Sequence, residues 1–312
     1  MINQKITLSV IILNYNSGDY LQKCLESISK SKIDFNSFEV IVVDNLSTDE
    51  SIKLAESFLK KSKHLTSSIL HLTSNKGFAA GNNRGLKTIN QNSKYVLFLN
   101  PDTTVKPDTF QKMIDFFEKN NQVDAATCNI VLAATGKMQP ECHRGFPTPW
   151  RSFCYFTGIS KLFPKSGFFN GYFQGNLDTT KIHQIEACVG AFLMVKKTVG
   201  QKIGWWNEKF FFYGEDLDFC FQLKKNNFKL FFYPNCQITH FQGISSGLKK
   251  TTSKLTQANR KTKVMVAKAS TNAMRIFYQQ NLFKKYSPLT QALVLCGIKL
   301  LEWQRVFKAK YL

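Results

Sequence analysis

Acidic side chains are scarce: 21 Asp and Glu stand against 42 Lys and Arg, a formal net charge of +21 over 312 residues. Long hydrophobic runs are missing as well. No stretch reaches the roughly 18 to 20 apolar residues that cross a bilayer. The segment LSVIIL, residues 8–13, is too short for a signal-peptide core and gives way at once to polar NYNS, so the expected location is the cytoplasm. The eight cysteines (24, 128, 142, 154, 188, 220, 236 and 296) show no CxxC spacing, which argues against a zinc or redox pair and suits reduced, packed thiols. Neither a Walker loop nor a GxGxxG fingerprint is present, so mononucleotide hydrolysis and dinucleotide redox chemistry are poorly supported. What remains is a chain with 43% hydrophobic residues, enough for a sizeable core.

The few acids are not placed at random. FFFYGEDLDFCF, residues 210–221, sets Glu215, Asp216 and Asp218 among phenylalanines and a tyrosine. An isolated buried carboxylate costs several kcal/mol or gives up its charge, so such a cluster needs compensation from a metal, a cationic partner, a helix N-terminus or a substrate.

The first hundred residues alternate between short β-rich apolar runs and helical periodicity. LSVIIL, VIVV (40–43), residues 69–72 and YVLFL (95–99) read as buried strands. Between them Leu21, Cys24, Leu25 and Ile28 mark one helix. Ser47 and Glu50 suggest a capping box for a second, and Pro107 a first turn for a third. Repeated strand–loop–helix units imply an α/β fold with a mostly parallel sheet, whose ligands bind beyond the carboxyl ends of the strands. Those ends carry Asn14 and Asn16, then Asp44 and Asn45, then Asn100 and Asp102. NKGFAAGNNRG, residues 75–85, adds small residues suited to close backbone approach at Gly77, with Arg84 available to a phosphate.

SVIILNYN, VIVVDNLSTDES, NKGFAAGNN, LFLNPDT, GAFLMVKK, FFFYGEDLDFCF and ITHFQGISSG follow one another from about residue 6 to 247. In this order and spacing they resemble family 2 glycosyltransferases, particularly the branch containing rhamnosyltransferases of bacterial surface polysaccharides. The resemblance implies a GT-A fold, a nucleotide-sugar donor, a divalent metal (Mn2+ or Mg2+) and transfer with inversion at the anomeric carbon. It divides the chain into a GT-A domain at 1–247, with a donor half to about 125 and an acceptor half at 126–247, and a basic helical region at 248–312.

Carried over residue by residue, Asp44 matches the position that holds the pyrimidine base, although turn capping is its plain alternative. Asp102 of the Asn100-Pro101-Asp102 segment matches the metal ligand. His240 matches a histidine that completes the metal or phosphate site and would lean toward manganese. Asp216 matches the general base, with Glu215 assisting or orienting the acceptor; helix N-terminal preference would explain one or two of these acids. Arg144, in CHRGFPTPW, is a candidate phosphate contact. Trp205, Trp206 and Tyr213 could form a sugar platform or simply pack in the core.

From residue 241 onward, fourteen Lys and Arg meet a single acid, Glu302. Such a region can meet nucleic acid, anionic lipid or water. Leu289, Leu293, Cys296, Leu300, Trp303 and Phe307 recur within it at three- and four-residue steps, describing an amphipathic helix. The expectation is docking on the inner membrane face beside a glycan or lipid-linked acceptor, with packing on the main domain as the alternative. Nucleic acid is not expected, since no recognition motif is present and it would leave the acids unexplained. A nucleotidyltransferase would normally show a Gly-rich, basic signature where NYNSGDY stands. dTDP-rhamnose is the leading donor, with UDP-sugars as competitors.

Overall fold

A computed structural model describes residues 6–241 and 260–311. Nine strands form one sheet: β1 (Leu8–Asn14), β2 (Phe38–Asp44), β3 (Ser67–His71), β4 (Tyr95–Leu99), β5 (Thr103–Val105), β6 (Ala125–Leu132), β7 (His183–Ile185), β8 (Phe192–Lys196) and β9 (Leu230–His240). Their order is β3-β2-β1-β4-β8-β6-β9-β5, with β7 added alongside β9.

The donor half matches the strand–helix alternation of the sequence. β3, β2, β1 and β4 are parallel, and the helices α1 (Tyr20–Ser29), α2 (Ser51–Lys61) and α3 (Gly77–Leu86) connect them. Val40, Val42, Val96 and Phe98 are fully buried, as strands covered on both faces require. The sheet beyond β4 is mixed rather than continuing in parallel. β8 runs antiparallel to both β4 and β6, β6 is parallel to β9, and β5 is antiparallel to β9. This reversal returns β9 toward β5, and its last residue, His240, pairs with Thr103.

α4 (Thr109–Lys119) buries Phe110, Met113, Ile114 and Phe117 on one face. It starts two residues after Pro107. The start of α2 also differs from expectation. Glu50 makes no side-chain cap, Ser51 N–H instead donates to Asp49 Oδ1, and the Ser47 hydroxyl accepts from Asn14 and Asn16. The acceptor half adds α5 (Pro149–Thr157), α6 (Ile159–Leu162), α7 (Lys197–Ile203) and α8 (Glu215–Lys225).

α9 (Arg260–Phe277) and α10 (Pro288–Tyr311) follow. The expected boundary at 247–248, and most of the HFQGISSG part of the last motif, lie outside the described residues. The C-terminal region is nevertheless tied to the rest, since Ala273, Phe277, Tyr278 and Leu282 share the core cluster with the sheet. No helix among the described residues is long and apolar enough to cross a membrane.

Candidate active site

Chain reversal at the carboxyl ends of β1 and β2 builds the first group. Asp44 ends β2 and is 6% exposed. Asn14, which ends β1, donates from Nδ2 to Asp44 Oδ1 at 3.3 Å and to the hydroxyls of Ser47 and Ser51 at 3.0 and 2.9 Å. Ser47 N–H adds contacts of 3.3 Å to both Asp44 oxygens. Asn14 is fully buried, so it positions Asp44 and does not reach a ligand, contrary to expectation. Asn16 and Asn45 likewise bind protein. Asn16 Oδ1 accepts from Thr48 N–H at 2.7 Å, while Asn45 bonds Asn75 and Lys76 N–H, each at 2.9 Å.

One residue of the glycine-rich segment changes meaning. Gly77 has φ +80°, and a Cβ there would lie 2.2 Å from the carbonyl oxygen of Phe211. The close approach is therefore to the chain's own backbone, sealed by Phe78 N–H donating to that oxygen at 3.0 Å. Arg84 is exposed in the last turn of α3. Seven residues from the Gly77 end, at 1.5 Å rise each, put its backbone about 10 Å along the helix from the strand ends that carry Asp44.

The second group gathers beyond β4. Asn100 is fixed by its backbone: its N–H donates to Ala191 and its carbonyl accepts from the Thr103 hydroxyl. Two residues on, Asp102 Oδ1 lies 3.1 Å from His240 Nε2, and the two side chains are 15% and 4% exposed. The other ring nitrogen of His240 donates to Gln139 Oε1 at 2.8 Å. In the tautomer with its proton on Nδ1, the Nε2 lone pair faces the carboxylate, so the two side chains could donate electron pairs to one cation. Among the described residues no cluster of three acidic, histidine or cysteine side chains exists, so protein would supply two ligands and substrate phosphates with water the remainder. Asp102 and His240 fit a divalent metal on these terms. Gln139 carried no sequence signal.

The third group opens α8. Gly214, with φ +82°, turns the chain so that Glu215, Asp216 and Asp218 occupy the first helical turn. Asp218 accepts from Asn207 and Asn281 at 3.1 and 2.7 Å, so it fixes the loop and ties it to the C-terminal region. Asp216 Oδ2 receives Arg144 Nη2 at 2.7 Å, with the two side chains 13% and 8% exposed. Arg144 therefore compensates the candidate base and is not free for a phosphate. Tyr172 Oη is 3.5 Å from its Nη1. Beside this pair Glu215 is buried, and burial followed by the Asp216 charge pushes its carboxyl up to about 8. Glu215 Oε2 and Arg144 Nε have no hydrogen-bond partner among the described residues.

The aromatic platform is corrected in part. Trp206 is 2% exposed and packs on Phe78, Phe98 and Phe219, so it belongs to the core. Trp205 lays its ring on Gly200, whose Cβ position is 2.0 Å from that ring. Tyr213 remains half-buried, its ring 4.2 Å from that of Phe212. A cavity of about 200 Å3 lined by Gln184, Glu186, Lys224 and Leu230 contains none of these residues.

A short segment joins the second and third groups. Ala187 exchanges both backbone hydrogen bonds with Arg144, and Ala191 accepts from Asn100. Four residues of chain span at most about 14 Å.

The glycosyl transferase family 2 model matches residues 9–179, and the model of glycosyl transferase family group 2 matches 95–309. The uncharacterized glycosyltransferase YibD of Escherichia coli is 31% identical over 41% of this chain, which spans about a third (35%) of that relative. The rhamnosyltransferase WbbL of Escherichia coli is 24% identical over 74% of this chain and 82% of its own. Among solved structures, the mannosyltransferase PcManGT from Pyrobaculum calidifontis, in complex with GDP-Man and Mn2+, superposes with a TM-score of 0.56 over 97% of this chain and 72% of that one. At 13% identity that likeness concerns the fold, which is GT-A-like. With the first model covering more than half of the sequence and the second continuing through α9 and α10, the chain belongs to glycosyl transferase family 2.

Proposed function

We propose that this protein transfers a sugar from a nucleoside-diphosphate sugar to a hydroxyl of a glycan or lipid-linked acceptor, with inversion, in the synthesis of a bacterial surface glycan. The convergence of Asp102 and His240, one short segment away from the Arg144–Asp216 pair, carries this reading. The backbone link from Arg144 through Ala187 and Ala191 to Asn100 supports assigning the cation-binding pair and the carboxylate to one site.

Each group has a task in such a transfer. Asp44, steadied by Asn14, accepts from a ring N–H of the base. Asp102 and His240 would hold a divalent metal, manganese or magnesium, and that ion would supply Lewis-acid neutralisation of the charge on the leaving diphosphate. Asp216 takes the proton from the attacking hydroxyl. Arg144 pairs with Asp216 at 2.7 Å inside an apolar surround, and the proton that buried Glu215 keeps at neutral pH spares this pair a second negative charge beside it. Tyr213 borders the acceptor side.

WbbL is named a rhamnosyltransferase, and its match runs through most of both chains; this supports dTDP-rhamnose as the first donor to try, with UDP-sugars as the alternative. Thermal melting with a panel of nucleotide sugars, with and without Mn2+, tests the proposal. At least one nucleotide sugar raises the melting temperature, and more so with Mn2+. A flat response across the panel would remove donor binding and the proposal with it.

A further inference from the structure

The apolar stripe of α10 has found no place in the core. Leu289, Leu293, Leu300, Trp303, Phe307 and Tyr311 share one helical face and are between 48% and 72% exposed, and no residue of α10 is buried. Cys296 lies on the same face and is exposed, whereas the other seven cysteines are buried. At 1.5 Å per residue the helix is about 36 Å long, so this is an extended hydrophobic strip, uncovered among the described residues.

Its inner side is anchored. Val294 packs against the core cluster, and Arg305 donates to the Ser270 hydroxyl of α9 at 2.8 Å. Arg305 also lies among Tyr155 of α5, Tyr172 and Tyr213, which partly offset the lowering of its pKa by burial. Tyr172 in turn contacts Arg144, the partner of Asp216. Two residues, Tyr172 and Arg144, thus lie between Arg305 of α10 and the candidate base.

We infer that the outer face of α10 lies in the interface of an anionic lipid bilayer and holds the acceptor side of the active site against it. Charge decides between this occupant and a second copy of the chain. Lys299, Lys308 and Lys310 flank the stripe on an element whose only acid is Glu302, and the region from residue 241 carries a net +13 (14 basic minus 1 acidic). A symmetric dimer through this face would bring like charges together. An anionic surface neutralises them while the stripe enters the acyl boundary, the two attractions that together hold an interfacial helix. That the docked face serves a lipid-linked acceptor rests on the glycosyltransfer reading; the docking itself does not.

A polarity-sensitive fluorophore on Cys296 of the full chain reads the docking directly. Phosphatidylglycerol-containing vesicles shift its emission to the blue and pull the protein down on centrifugation, whereas pure phosphatidylcholine vesicles do so weakly. Replacing Leu300→Asp and Trp303→Asp together lowers vesicle affinity by about 10-fold or more without changing thermal melting, because both sites are exposed. High salt weakens binding but does not abolish it, since the apolar contribution is unscreened. No emission shift with anionic vesicles, or equal binding by the double variant, would overturn the inference. So would a dimer in solution that the double variant dissociates, which would assign the face to a second copy. Asp216→Asn binds vesicles like the wild type, so failure of docking and failure of catalysis are read separately.

Discussion

Arg144 and Asp216, 72 residues apart in sequence, meet at 2.7 Å at the start of α8, with both side chains largely buried. The contact explains how an acid survives among the aromatic residues of 210–221. It also makes the pair a vulnerable point, because removing one member leaves the other charged and buried. Arg144→Met should destabilise the protein by about 3–5 kcal/mol. Adding Asp216→Asn to that variant should restore much of the loss. Chemical denaturation measures both, and wild-type stability in Arg144→Met would show that the pair does not compensate the acid.

Glu215 gives a pH signature. Its native carboxyl is raised to about 8, from 4.5 for an ordinary glutamate, chiefly by burial and then by Asp216. Between those values the unfolded chain releases a proton that the native protein keeps. This contribution is therefore fully favourable below about 4.5 and is lost as pH rises to about 8. Glu215→Gln cannot ionise, so its stability relative to wild type should climb by up to a few kcal/mol across that interval. Parallel slopes of melting temperature against pH for the two proteins would contradict a buried, proton-retaining Glu215.

Asp102 and His240 should act together. Asp102→Ala and His240→Ala are each expected to abolish the Mn2+-dependent part of nucleotide-sugar binding. The double variant should add little beyond either single change, as for two ligands of one ion. Isothermal titration with and without Mn2+ reads this. Retention of metal-dependent binding in either single variant would take that residue out of the site.

Gly77→Ala probes the joint between α3 and the segment preceding α8. The new methyl group would meet the Phe211 carbonyl oxygen at 2.2 Å at a φ of +80°. The expected result is a loss of stability of at least about 1 kcal/mol, from strain and from a displaced Phe211. Wild-type melting would mean that the two segments can separate freely.

Much of the donor half was legible in the sequence because its signals are local. Runs such as VIVV and YVLFL read as buried strands, and Asp44 and Asp102 fall at the strand ends where they were expected. The misreadings involve partners far along the chain. Gly77 faces Phe211, Arg144 faces Asp216 and Trp206 sits on Phe78, none of which a local window can pair. Ser47 looked like half of a capping box because it stands three residues before Glu50, but its hydroxyl is taken by Asn14 and Asn16 from the neighbouring strand end. The α10 stripe was visible as periodicity; only burial distinguishes a stripe packed on the domain from one left exposed.

The central claim is that Asp216 deprotonates a hydroxyl acceptor at a metal-assisted nucleotide-sugar site. Release of nucleoside diphosphate from the donor selected by melting, measured with Mn2+ and a hydroxyl acceptor for wild type and Asp216→Asn, tests it most directly. The substituted amide oxygen can still accept from Arg144, and donor-induced stabilisation serves as the control for an intact site. The account predicts turnover about 100- to 10,000-fold lower in the variant at near-equal donor binding. Near-wild-type turnover by Asp216→Asn would contradict it.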